Sequence, residues 1–391
     1  MNYNIQMFKN HCCGCGACSQ VCPKNAITMK PNLQGFLYPS VDKKKCIQCG
    51  KCINYCSFNQ NIKKETKNIY PIFYALKHND ENVRLNSRSG GAFTVFTDAI
   101  LEENGVVYGC ELINNRFAKH VRADTTSGRN RLRGSKYIQS DIVGVFKQVK
   151  EDLIAEKKVI FLGTACQVAA VKSYLRNINT KNLLLIDIVC HGVGSPVFWN
   201  DYLNNVEKKF NKKIVKAEFR NKRDFGWKAF IETFYFTDEQ YNGDLFKKYY
   251  ISHLIMRNDC ASCPYKSMSR TGDITLGDCW GISDAYPEFD DNKGVSLVLI
   301  NSEKGEVFFD QISNISLIKV DFSKLVQQSP LFCNWILPTK YGKFWRYYKI
   351  HKFSKTTEKY LNYAESIMFS DEKESILKRI YKKCLRAIKK G

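Results

Sequence analysis

Cys12-Cys13-Gly14-Cys15-Gly16-Ala17-Cys18-Ser19-Gln20-Val21-Cys22-Pro23 places four cysteines at intervals of two, two and three residues, and the same spacing returns at Cys46, Cys49, Cys52 and Cys56. Two-residue gaps let one tight turn present three thiolates to three irons of a [4Fe–4S] cube, while the fourth cysteine of each run reaches the other cube. The crossed sets are then Cys12, Cys15, Cys18 and Cys56 on one side, and Cys22, Cys46, Cys49 and Cys52 on the other. Gly14, Gly16 and Gly50 sit in the gaps, where they keep side chains off the inorganic sulfides and leave backbone N–H groups free to tune potential. Cys13 falls outside the register and reads as a small buried apolar residue. Zinc sites want four cysteines per ion with a long interval between pairs, not three short gaps in a row. Disulfides are disfavoured, because a chain of 391 residues has no need of staples.

Between the runs, Ala26 to Asp42 reads as two short strands around a turn at Pro31–Gly35, so residues 1–65 are expected to form a bacterial-type 2[4Fe–4S] ferredoxin domain. Ser57 stands where a proline usually follows the last cysteine. No secretory signal and no apolar run of membrane-spanning length is visible, which with so many free thiols predicts a cytoplasmic, low-oxygen setting. The net charge of +22 comes from scattered lysines in a Lys-, Asn- and Ile-rich composition, so nucleic acid is not expected. Residues 1–60, however, carry seven lysines against one acid, Asp42, a balance that suits an acidic electron carrier such as ferredoxin or flavodoxin.

From residue 70 the texture becomes alternating strand and helix, which predicts an α/β domain with a mixed sheet over 70–335. Strands at IFYALKH, VVYGCEL, KKVIFLG and LLLIDIV are followed by glycine turns or helices, with later strands at IVKAEF, FIETFYF, DITLGD and VSLVLIN. Strand-ending turns of this kind are where such sheets place phosphate or flavin ligands. No G-x-G-x-x-G follows a strand, so a standard dinucleotide fingerprint is not supported. Cys166 and Cys190 lie just past predicted strands, and Cys260 and Cys263 form a C-x2-C. The four read equally as a third cluster site or as two core residues beside an isolated pair.

The ordered segments SGGAFT, GSKYIQS, FLGTACQVAAVKSYL, IVCHGVGSP, FRNKRDFGW and CASCPYKSMSRTGDITLGDCWG, behind the cysteine runs, resemble the family of coenzyme F420 hydrogenase/dehydrogenase beta subunits. The resemblance spans about residues 10–320 and implies a ferredoxin domain fused to a flavin-binding α/β domain. It implies an FAD- and [4Fe–4S]-dependent oxidoreductase passing electrons from a ferredoxin-type donor to FAD, and then as hydride to an organic acceptor. That acceptor would be coenzyme F420 or a lipid-linked intermediate of surface-polysaccharide synthesis. The alternative is a non-catalytic electron-transfer protein bridging redox partners.

By position, the resemblance makes Cys166, Cys190, Cys260 and Cys263 ligands of a third cluster, and leaves Cys279 outside. It draws the flavin site from Ser89, Gly90, Gly91, Lys136, Tyr137, Ser140, Gly163 and Thr164. His191 is the best-placed histidine for protonating a substrate. Asp273 and Asp278 flank a strand and suit turns or function, while Arg220 and Lys222 suit an acidic substrate or the surface.

Residues 336–391 read as a basic helical tail, with fifteen basic residues against five acids from residue 340 onward. Ile376, Leu377, Ile380, Tyr381, Cys384, Leu385 and Ile388 share one helical face, which suits an anionic membrane surface or a packed helix.

Overall fold

The computed structural model describes residues 5, 11–58, 71–325, 331–332 and 334–368. In the N-terminal segment, β1 (Ile27–Pro31) and β2 (Leu37–Val41) form an antiparallel hairpin with Pro31 opposite Leu37. Short helices Ala17–Gln20 and Lys51–Asn54 lie within the two cysteine runs and carry Cys18 and Cys52, each entered through a left-handed glycine, Gly16 and Gly50.

The second unit is built on one mixed sheet. Its first half contains β3 (Ile72–His78), β4 (Val106–Ile113), β5 (Phe117–Ala123), β6 (Val159–Thr164) and β7 (Leu183–Ile188). A separate three-stranded antiparallel sheet of β8 (Lys216–Glu218), β9 (Glu232–Tyr235) and β10 (Gln240–Gly243) follows. Then β11 (Ile274–Asp278), β12 (Ser296–Ile300) and β13 (Ile315–Lys319) return to the main sheet, giving the order β13-β3-β12-β11-β7-β6-β4-β5. The centre, β11-β7-β6-β4, is parallel, and β12, β5 and β13 run against their neighbours.

Both faces of the sheet are covered, as a parallel centre requires. Side chains alternate across it with the two-residue period of a strand. Val159 and Phe161 of β6 and Leu183 and Leu185 of β7 face Phe146, Val149, Val168 and Val171 from helices Val145–Ile154 and Ala165–Tyr174. Ile160, Leu184 and Ile186 face Phe96 and Ile100 of helix Ala92–Glu102. Ala17 of the N-terminal segment is 1% exposed and completes the first of these cores, so the two units share apolar packing.

Helix Tyr341–Met368, interrupted at Lys352 (φ 59°), is part of this unit. Phe344, Tyr348, Phe353 and Tyr360 pack into one core with Phe198, Trp199 and Tyr202 of helix Pro196–Phe210. Tyr341 Oη donates to Met256 O (2.9 Å), Trp345 Nε1 to Leu254 O (2.9 Å) and Tyr348 Oη to Asp201 Oδ2 (2.6 Å). The expected tail is therefore integral from 341 to 368, because its aromatics supply a core that the helix Pro196–Phe210 cannot close alone. The apolar face from Ile376 to Ile388 lies outside the described residues. Among the described residues no helix is long and apolar enough to cross a membrane.

Gly90 sits where β3 and β12 meet. A Cβ there would lie 2.1 Å from Leu76 O and 2.5 Å from Ser296 N, both backbone atoms that cannot step aside. Gly90→Ala is expected to destabilise the chain by about 1–3 kcal/mol through overpacking, read by denaturant unfolding without added cofactor. An unchanged midpoint would show that the strands yield there.

Candidate functional site

The thiols of the N-terminal segment gather in the crossed sets. One pocket is lined by Cys12, Cys15, Cys18 and Cys56, with Met29, Pro39 and Phe58 around them. The other is lined by Cys22, Cys46, Cys49 and Cys52, with Ile27, Val41 and Ile47. Each encloses about 380 Å³, counting the part open to solvent. A set of four thiols without carboxylates suits a soft iron–sulfur centre. Among the described residues no three His, Cys, Asp or Glu side chains close around a single ion; in a cubane each thiolate meets a different iron. Gly14 has a further reason to be glycine. At φ 71° a Cβ would lie 2.3 Å from Gln139 Nε2 and 2.7 Å from Leu37 O, so the turn is pressed against the second unit.

That contact is held by a buried ion pair. Arg257, fully buried, lies 3.2 Å from Asp259 and donates from Nε to Cys12 O (2.8 Å) and from Nη1 to Leu37 O (3.2 Å). Its guanidinium lies 4.0 Å from the centre of the Tyr38 ring. Asp259 in turn accepts from Cys12 N (3.1 Å) and Tyr38 Oη (2.7 Å). Gln139 donates to Cys13 O and accepts from Leu37 N. Tyr265 Oη donates to Ser57 O (2.6 Å), and its ring meets that of Phe58.

The later cysteines converge beneath this contact. Cys166 lies in the first turn of the helix after β6, Cys190 follows β7, Cys260 lies within the short turn Asn258–Ser262 next to Arg257, and Cys263 comes directly after it. Burial pushes the Cys190, Cys260 and Cys263 thiols up, Cys260 to about 11, and neighbouring cysteines of the set push each one further. The Lys266 ammonium acts the other way on all three. Cys166 is held below the ordinary thiol range by a hydrogen bond from Cys13, which outweighs burial, with Thr164 Oγ1 3.1 Å from its sulfur. Cys13 lines the pocket of the first thiol set and lies close to both Cys15 and Cys166, so it stands between that set and this one, a place its reading as an apolar filler did not foresee. Cys279 is buried elsewhere, beside Trp227 and Leu297.

The proposed flavin residues lie around the carboxyl edge of the parallel strands, and most have internal partners. Gly90 N donates to Ser296 Oγ, and Ser89 Oγ to Val295 O. Gly91 (φ 95°) opens helix Ala92–Glu102. Lys136 Nζ donates to Leu132 O (2.9 Å) and Arg133 O (2.7 Å), carbonyls left over after helix Thr126–Asn130. Gln167 joins Ser140 to Thr164, and a Cβ on Gly163 would press on that same glutamine. Tyr137 Oη accepts from Arg220 Nη1 (3.3 Å). Burial opposes its ionisation, but the Arg220 and Arg88 guanidiniums outweigh burial and bring its pKa down.

Arg88 and Arg220 flank Asp278 at 3.0 and 3.9 Å, and both lie over Trp280, which stacks on Trp227 with centroids 4.9 Å apart. Sequence reading missed Arg88 and the indole pair; the FGW and DCWG segments held the aromatic signal. Asp273 braces structure, accepting from Leu185 N and Ser302 Oγ. Lys222 is a tether, with Nζ bonded to the carbonyls of Arg84 and Ser89. His191 Nε2 lies 2.8 Å from His253 Nε2, and His253 stacks on Trp335, whose Nε1 donates to His191 O.

Comparison with known proteins matches residues 11–60 to a 4Fe–4S dicluster domain, and residues 156–323 to the C terminus of the coenzyme F420 hydrogenase/dehydrogenase beta subunit. A subunit of the F420H2 dehydrogenase of Methanosarcina mazei is 26% identical over 316 residues, covering 77% of this chain and 82% of that protein. A chain from the F420-reducing [NiFe] hydrogenase complex of Methanosarcina barkeri aligns at 18% identity and a TM-score of 0.45, over 76% of this chain and 95% of its own, too loose a likeness to bear on the site.

Two measurements follow from the geometry. Arg257→Leu strands Asp259 without its cation and should cost about 3–5 kcal/mol of stability. The double variant Arg257→Leu/Asp259→Leu should recover part of that loss in denaturant titrations; no recovery would mean the pair is not the source. Lys222 has its pKa brought down to about 7 from 10.5, first by burial and then by Arg88 and Arg84. Above pH 7 the unfolded chain keeps a proton that the folded chain has released, so stability should rise with pH between about 7 and 10. Lys222→Met should flatten that rise; an unaltered slope would exclude Lys222 as its origin.

Proposed function

Because this chain belongs to the family of coenzyme F420 hydrogenase/dehydrogenase beta subunits, we propose that it is an iron–sulfur flavoprotein oxidoreductase. It takes single electrons from an acidic ferredoxin- or flavodoxin-type carrier and delivers hydride to an organic acceptor. The clusters supply one-electron carriage, and FAD supplies the conversion between single electrons and hydride. The observation that carries this reading is the convergence of the thiols: Cys13 lines the pocket of Cys12, Cys15, Cys18 and Cys56 and lies beside Cys166, which in turn neighbours Cys190, Cys260 and Cys263. From the outside inward the order is Cys22/Cys46/Cys49/Cys52, then Cys12/Cys15/Cys18/Cys56, then Cys166/Cys190/Cys260/Cys263, which would hold a third cluster. Four thiols buried together cost free energy as thiolates unless a cationic centre compensates them, and iron is that centre.

The residues that would hold FAD are the turn Ser89-Gly90-Gly91, Gly163 and Thr164 beside Cys166, and Tyr137 and Ser140. Arg88 and Arg220 would hold negative charge next to the indole pair, with Lys136 behind them as a cap on local carbonyls. Tyr137 packs on Tyr250 at 5.2 Å, and Tyr250 donates to Gly192 O two residues past Cys190, which links this edge to the inner thiols. His191, backed by His253, would move a proton at the acceptor. Coenzyme F420 is the acceptor suggested by the M. mazei relative, which belongs to an F420H2 dehydrogenase. A lipid-linked polysaccharide intermediate is the other acceptor in view.

Anaerobic purification and metal analysis test the scheme. About twelve irons and one FAD per chain are expected. About eight irons without flavin would sink the flavoenzyme and leave a non-catalytic electron-transfer protein, the reading favoured by a relative that is itself one part of a larger dehydrogenase.

A further inference from the structure

The two N-terminal thiol sets face different worlds. The set containing Cys12 and Cys15 is covered by the second unit: Asp259 takes the Cys12 N–H, Cys13 reaches Cys166, and Tyr265 holds the chain just after Cys56. The set containing Cys22 and Cys46 has no such cover among the described residues, and Cys49 is exposed. Its rim carries Ile47, a large apolar side chain 57% exposed, between Lys24 and Lys51. Lys43, Lys44 and Lys45, all exposed, directly precede Cys46 of the same set. The one acid in this stretch of sequence, Asp42, is 4.0 Å from Lys45 and leaves the face strongly positive. Arg176 of the second unit adds a further cation at its border, lying 3.7 Å from the Tyr55 ring.

We propose that this face, centred on Ile47 and ringed by Lys24, Lys43, Lys44, Lys45 and Lys51, is the docking surface for a small acidic electron-carrier protein of the ferredoxin type. An apolar centre inside a charged rim is how weak, fast redox encounters are built: charge steers the approach, and a small dry contact brings the centres close. The proposal rests on the function proposed above only in that the Cys22 set holds a cluster. The step is one electron from the reduced carrier to that cluster; the carrier is oxidised, the cluster is reduced, and no bond or proton changes.

The test uses the full chain loaded with its clusters under anaerobic conditions, and a purified acidic [2Fe–2S] ferredoxin as donor. Stopped-flow bleaching of cluster absorbance is read before any acceptor is present, so a failure of hydride transfer leaves this result standing. Lys43→Glu/Lys44→Glu/Lys45→Glu is expected to slow reduction by ferredoxin about tenfold or more, while reduction by dithionite is unchanged. Raising ionic strength should slow the wild type toward the variant. The matched control is Lys343→Glu/Lys349→Glu/Lys355→Glu, a triple of exposed lysines on the C-terminal helix. It should keep the wild-type rate. An equal loss in the control would assign the attraction to net charge and overturn the face, as would a ferredoxin rate indifferent to the first triple.

Discussion

The seating of the first cysteine run against the second unit depends on Arg257 and Asp259. They are fixed by the second unit, and they grip the backbone on both sides of the first cysteine run. A charge pair removed from water is a weak source of stability in itself, since desolvation offsets most of the attraction. Its strength lies in direction. Beside its pairing with Asp259, Arg257 donates to Cys12 O and Leu37 O at fixed positions, and Asp259 accepts from Cys12 N and Tyr38 Oη. The pair therefore sets the register between two units that could otherwise slide, and Cys260, the next residue, inherits that register.

Once the register is set, the thiols fall into layers. The outermost set meets solvent beside lysines, the middle set is roofed by the second unit, and the innermost set lies below Cys13 next to the carboxyl ends of β6 and β7. Beyond it come the aromatic and guanidinium side chains of Tyr137, Arg220, Arg88, Trp227 and Trp280. The layers thus run from wet and cationic at the outer thiols to dry and aromatic at the edge of the sheet.

Local spacing made much of this legible. The crossed cysteine sets, the hairpin between them and the main alternation of strand and helix depend on residues within a few positions of one another, and they stand where the sequence puts them. Contacts across long separations left no mark. Cys12 N and Asp259 are 247 residues apart, and nothing in RNDCASC distinguishes an acid that accepts from a distant turn. Cys13 looked like filler because its partner, Cys166, belongs to another unit. Lys136 shows its charge in the sequence, and the carbonyls of Leu132 and Arg133 that it meets appear only in the structure. The tail showed its lysines in the sequence, while the packing of Phe344, Tyr348 and Tyr360 against helix Pro196–Phe210 is a distant contact that the sequence does not show.

The register pair also has a consequence in time. A ribosome releases the chain from the N-terminus, so the cysteine runs emerge first, while Arg257 lies 245 residues after Cys12. At typical synthesis rates that interval is roughly ten to fifty seconds. The core that helix Tyr341–Met368 completes closes later still. During that interval the eight N-terminal thiols have no roof, and the surfaces that later shelter half of them do not yet exist. The nascent chain is most vulnerable to oxidation where the finished molecule is best protected.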